Sequence, residues 1–217
     1  MRIEIQNFTK TIQGQIILDQ INLTFSNEDC GRIYGLQGIN GSGKTMLMRA
    51  ICGLILPSSG CVRINGKQIG KDLSFPPDTG LLLENPAFIN EFTGFKNLKL
   101  LAEIQKKIGI SEIESAMKLV GLDPKDRRVY RKYSLGMKQR LGIASAVMEN
   151  PELVILDEPF NALDTDGVQL LRELILKLKR QKKLVILACH DKYLLEDLAD
   201  VIIPIENGHI LKPNSEV

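Results

Sequence analysis

The chain has 217 residues and a formal net charge of +2, with 25% charged and 44% hydrophobic residues. That length allows one sizeable core, and the near balance of charge gives no strong pull toward nucleic acid or an anionic membrane surface. No apolar run approaches the roughly 18 residues of a membrane span, and the opening MRIEIQNFTK is no signal peptide.

Residues 2 to 6 and 16 to 25 alternate apolar and polar side chains, which predicts half-buried strands. GRIYGLQG predicts another strand, feeding the stretch GINGSGKTM at 38 to 46. There Gly38, Gly43, Lys44 and Thr45 fit G-x-x-x-x-G-K-[ST], a phosphate loop. Gly38, Ile39, Asn40, Gly41, Ser42 and Gly43 supply a tight turn whose N–H groups converge on phosphate oxygens. A helix predicted from Gly43 to Leu54, with Met46 in its first turn, aims its positive end at the same phosphates. Lys44 is placed to reach the β- and γ-phosphates, and the Thr45 hydroxyl to ligate Mg²⁺. The strand–loop–helix context implies a nucleoside triphosphate site.

CVRINGKQI carries Asn65-Gly66 between alternating runs, a hairpin signal, so the N-terminal part predicts an antiparallel layer laid against the phosphate-loop core. From about 94 to 148 the pattern turns helical. Leu98, Leu101, Ile104 and Ile108 fall on one predicted face. Ser111 and Glu114 read as a capping box for a helix with Ile113, Ala116, Met117 and Val120 on one side and Gly121 at its end. A third helix carries Leu141, Ala144 and Met148 and stops before Pro151. The basic run KDRRVYRK at 125 to 132 reads as a solvated face.

Two later runs, LVIL at 153 to 156 and LVILAC at 184 to 189, lack alternation, as strands buried on both faces of a parallel sheet do. They lead into Asp157 with Glu158 and into His190, at the strand ends where open α/β sheets bind ligands. His209, after the Asn207-Gly208 turn, reads as a surface histidine. Cys30, Cys52, Cys61 and Cys189 form no C-x-x-C pair and read as reduced thiols packed as small apolar residues.

In order, GINGSGKT, YSLGMKQRL, LVILDEPFNALD and ILACHD resemble the ATP-binding subunit of an ABC transporter over essentially the whole chain. The resemblance implies an α/β, RecA-like P-loop NTPase core with an antiparallel β layer and an inserted helical subdomain. Residues 1–84 and 150–217 would form the core and 85–149 the helical part. It implies that Asp157 holds Mg²⁺, that Glu158 is the general base for the attacking water, and that His190 contacts the γ-phosphate. Ser134 and Gly136, in the place of the usual LSGGQ, would meet the γ-phosphate of ATP held by a second subunit, with Leu163 and Asp164 linking the two sites. It further implies a separate polytopic membrane permease, a second ATPase subunit (like or unlike), and a place on the cytoplasmic face of the cell membrane, with no nucleic acid involved.

Three residues depart from the family pattern. Met46 stands where Thr is usual, a loss of one hydrogen bond, about 0.5–1.5 kcal/mol. Ile12 stands where an aromatic ring normally stacks on adenine. Glu84 stands where most members have Gln, expected to reach the metal and the attacking water. Glu84 together with YSLGM is similar to the branch that exports bacitracin, lantibiotics and related peptides, and to its multidrug neighbours. Another cargo (haem, an ion, a lipid) or a soluble non-transport ATPase of the same class stays open on the sequence.

Overall fold

The computed structural model describes residues 1–27 and 30–211, so 212–217 of the expected C-terminal core segment lie outside the described residues. The alternating N-terminal segments form β1 (Arg2–Ile12) and β2 (Gln15–Ser26), paired antiparallel. Gln13 and Gly14 join them, at φ 49° and 81°. Two left-handed turn residues match the twist of flanking strands. β3 (Arg32–Gln37) then runs through the phosphate loop into α1 (Lys44–Ile51). β4 (Ser59–Ile64) turns at Asn65 and Gly66, both at positive φ, into the short β5 (Lys67–Gln68), as that dipeptide predicts.

β6 (Thr79–Leu82) is followed by three helices, α2 (Gly94–Gln105), α3 (Ile110–Leu119) and α4 (Leu135–Val147). The chain finishes as β7 (Leu153–Asp157), α5 (Thr165–Arg180), β8 (Leu184–Ala188), α6 (Lys192–Leu198), β9 (Val201–Glu206) and β10 (His209–Ile210). One sheet is antiparallel, in the order β2-β1-β4-β5; the other has the order β10-β9-β3-β8-β7-β6 and is parallel except at β10.

The six-stranded sheet is apolar on both faces, and its strands show why LVIL does not alternate. Leu153 and Ile155 of β7, with Leu184 and Ile186 of β8, pack with α1 against Ile3, Ile5, Phe8 and Phe25 of the antiparallel layer. Val154, Leu156, Val185 and Leu187 face the other way, onto the helices. Burial of both faces removes any reason for a polar residue every second position.

Three expectations need correction. On α2 the buried positions are Gly94, Asn97, Leu98 and Ala102, whereas Leu101 is 38% and Ile104 76% exposed, and Ile108 lies beyond the helix end. Polar Asn97 can occupy the buried stripe because its amide bonds the backbone at both Ile89 groups and at Thr93. The capping interaction of α3 belongs to Gly109 and Glu112: Glu112 Oε2 accepts from the Gly109 amide at 2.9 Å and from the neighbouring Ser111 hydroxyl. Ser111 and Glu114 sit inside the helix. Finally, all four cysteines are free thiols, but only Cys52 and Cys189 are buried, and burial pushes these up to about 12 and about 11. Cys30 is exposed and Cys61 half-buried, so neither is a core residue. The run at 125 to 132 is a mostly solvated face, pinned by Tyr130, whose hydroxyl is buried on the Pro86 carbonyl at 2.6 Å.

Candidate active site

The loop after β3 is shaped by its glycines. Gly41 and Gly43 take φ 82° and 112°, and a side chain on Gly38 would strike the Ile205 carbonyl and Ser42 Oγ. Only glycine permits that path at low cost. Lys44 is 5% exposed and curls back over its own loop, Nζ donating to the carbonyls of Gly38 at 2.6 Å and Ile39 at 3.1 Å. Ser42 Oγ is buried without a partner among the described residues. A concave hollow of about 400 Å³ opens over this loop, lined by residues 40 to 46, Asp157, Glu158, Ile12, Gln13, Gln15 and Ile17.

The end of β7 brings two acids to the hollow. Asp157 is 2% exposed, and its Oδ2 accepts the Thr45 hydroxyl at 2.6 Å while Oδ1 has no partner among the described residues. Burial above all raises its carboxyl above the ordinary range; the charges of Glu158 and Glu84 push the same way, and the Thr45 hydrogen bond and Lys44 oppose them. Glu158 adopts φ 47°, with its amide on the carbonyl of Ala188 at the end of β8. That register puts His190 beside it: Glu158 Oε2 lies 2.7 Å from His190 Nδ1 and 3.3 Å from the His190 amide. Glu158 Oε1 is buried and has no partner among the described residues.

Ile12 stands at the hollow's rim, 40% exposed, with no aromatic ring among the lining residues. Met46 is half-buried and packs against the core beneath α1. Glu84, at φ 54°, makes an ion pair with Arg49 at 2.6 Å. Ser134 N-caps α4, its hydroxyl accepting from the Met137 amide at 3.2 Å. Ser134 and Gly136 line a different hollow, with Arg140, Ala162 and Asp164, so the chain does not bring them to its own phosphate loop. Leu163 packs on the helical side of the core, and Asp164 caps α5 through the Gly167 amide.

The fold also recruits residues that local pattern does not mark. Arg49 engages Glu84, Arg140 pairs with Asp164, and the buried Gln139 donates to the Glu158 carbonyl at 3.2 Å. Gln139 and Arg140 lie within YSLGMKQRL, but their partners are distant in sequence, and no periodicity points to them.

A family model described as ABC transporter matches residues 7–161. The chain is 41% identical over 208 residues, 96% of its length and 94% of the relative's, to the uncharacterized ABC transporter ATP-binding protein YybJ of Bacillus subtilis. It is 39% identical over 212 residues, 97% of its length and 68% of the relative's, to the bacitracin transport ATP-binding protein BcrA of Enterococcus faecalis. Among solved structures it superposes with a TM-score of 0.82 on a dimeric ATP-binding cassette in a post-hydrolysis state with ADP and phosphate bound, at 23% identity and 97% coverage of both chains.

Proposed function

The chain belongs to the ABC transporter ATP-binding proteins, and on that premise we propose that it hydrolyses ATP to drive export of a bacitracin-like peptide or a drug-like compound through a separate membrane subunit. The observation that carries the chemistry is Glu158. Its Oε2 is committed to His190, and its Oε1 is buried and unpartnered at the edge of the phosphate-loop hollow. A carboxylate so placed can take a proton from water.

In this reading the triphosphate lies along residues 38 to 46 with Lys44 at its centre, and the base lies near Ile12, Gln13 and Ile17. Thr45 and Asp157 would hold Mg²⁺, and Glu84, paired with Arg49 and outside the hollow's lining, would have to leave that pair to join them. The fit rests on Asp157, a buried acid with a free oxygen next to the Thr45 hydroxyl, the hard oxygen donors such an ion takes. Bound Mg²⁺ offsets the charge of the phosphates and of the paired acids. Glu158 removes a proton from water as its oxygen attacks the γ-phosphorus; the bond to the bridging oxygen breaks, and ADP departs with the electron pair. His190, steadied by Glu158, has its other ring nitrogen uncommitted among the described residues, available to the γ-phosphate.

Ser134 and the N-terminus of α4 would close on ATP held by a second copy, since they stand apart from this chain's own loop. No helix among the described residues is long and apolar enough to cross a membrane, and the cargo path in this reading is a polytopic permease docked on its cytoplasmic side. The export assignment leans on the likeness to BcrA and on Glu84 with YSLGM. The test is Glu158→Gln in purified protein: steady-state hydrolysis should disappear while nucleotide binding persists. Near wild-type turnover would sink the assignment of the base.

A further inference from the structure

Glu158 is held in a conformation that side-chain-bearing residues adopt only when their surroundings impose it, φ 47°. One restraint is the β8 carbonyl that receives its amide. The other comes from α4. Gln139, 5% exposed, sends its side-chain amide to the Glu158 carbonyl at 3.2 Å, which also accepts from the Asn161 amide. The same helix grips the segment after Glu158 at two more points. A Cβ on Gly136 would stand 2.7 Å from the Ala162 carbonyl, so helix and segment approach as closely as glycine permits. Arg140 pairs with Asp164 and donates to the Val120 carbonyl at 3.3 Å.

We propose that Gln139 is the positioning residue for the general base, fixing the peptide that carries Glu158 and thereby the direction of its carboxyl. This rests on the reading of Glu158 as the base. Gly136 and Arg140 keep the rest of the segment against α4, while Gln139 is the one of these three α4 residues that reaches the peptide of Glu158 itself. The donor is 5% exposed, so the Gln139 amide has little water to turn to, and such a hydrogen bond fixes geometry.

The test compares Gln139→Met, close in volume but without a donor, and Gln139→Asn, which keeps the amide and shortens its reach. Each is measured in wild-type and Glu158→Gln backgrounds for kcat, KM for ATP and melting temperature. In folded protein, kcat should fall about tenfold, with KM for ATP changed by less than about twofold, the split expected when only transition-state geometry is lost. In the Glu158→Gln background the same changes should leave the residual single-turnover rate within about twofold, because a misplaced base cannot matter once the base is gone. If Gln139→Met does not fold, Gln139→Asn carries the same expectations. Wild-type kcat in a folded variant, or an equal loss in both backgrounds, overturns the proposal. Active Glu158→Gln protein would instead overturn the reading beneath it.

Discussion

Asp157 is buried, has Oδ1 unpartnered, and stands beside a second acid, so its carboxyl is pushed above the ordinary range, mainly by burial. A carboxyl with a folded pKa above its unfolded value favours the fold at low pH, and that support is lost as pH rises through the folded pKa. At neutral pH the raised carboxyl of Asp157 therefore costs the nucleotide-free protein stability. Asp157→Asn keeps an acceptor for the Thr45 hydroxyl and removes the charge. It should melt higher than wild type at neutral pH, the advantage shrinking as pH falls through the raised folded pKa and gone below the ordinary carboxylate value of about 3.9, and it should lose Mg²⁺-dependent hydrolysis. A thermal melt across pH, without nucleotide or metal, checks this; an unchanged or lower melting temperature at neutral pH would speak against a strained carboxylate.

At this scale the phosphate loop was the most legible feature, because its glycines and lysine act within one continuous stretch. Asp157, Glu158 and His190 were legible too, since apolar runs ending in polar residues mark the carboxyl ends of buried strands. Arg49 was not. Its partner, Glu84, belongs to another element, and only the fold closes that distance.

Among the elements, α2 shows where periodicity misleads. Leu98, Leu101, Ile104 and Ile108 are spaced for one face, yet the helix buries Leu98 and Ala102 around Asn97 and leaves Ile104 in solvent. The polar residue belongs inside because the preceding loop satisfies it, and that loop's geometry is not written in the spacing. Leu98→Ala should therefore cost about 2–5 kcal/mol in urea unfolding, while Ile104→Ala should stay within about 0.5 kcal/mol. Comparable losses would put both side chains in the core. The strands carried stronger signals. Asn65-Gly66 dictates its own turn, and unalternating LVIL runs require two covered faces. Cap positions were off by two residues at α3, because Glu112 can reach back to Gly109 without any serine or threonine at the cap.

In the whole molecule, the phosphate-loop hollow and the hollow lined by Ser134 are separate, and one segment joins them: Glu158 lines the first, Ala162 and Asp164 the second. In the function proposed above, such an arrangement is half of two sites, to be completed when one copy presents Ser134 to another copy's ATP. The sequence suggests this only through the resemblance of YSLGM to a trans-acting motif; no composition or pattern within one chain can show that two chains are needed. The most direct measurement is the solution mass of Glu158→Gln protein by light scattering, with and without ATP. The expected result is a monomer of 24.2 kDa without nucleotide, a doubling of that mass with ATP, and no doubling when Ser134→Arg is added. A protein that binds ATP yet stays at the monomer mass, or that doubles equally well with Ser134→Arg, would contradict it.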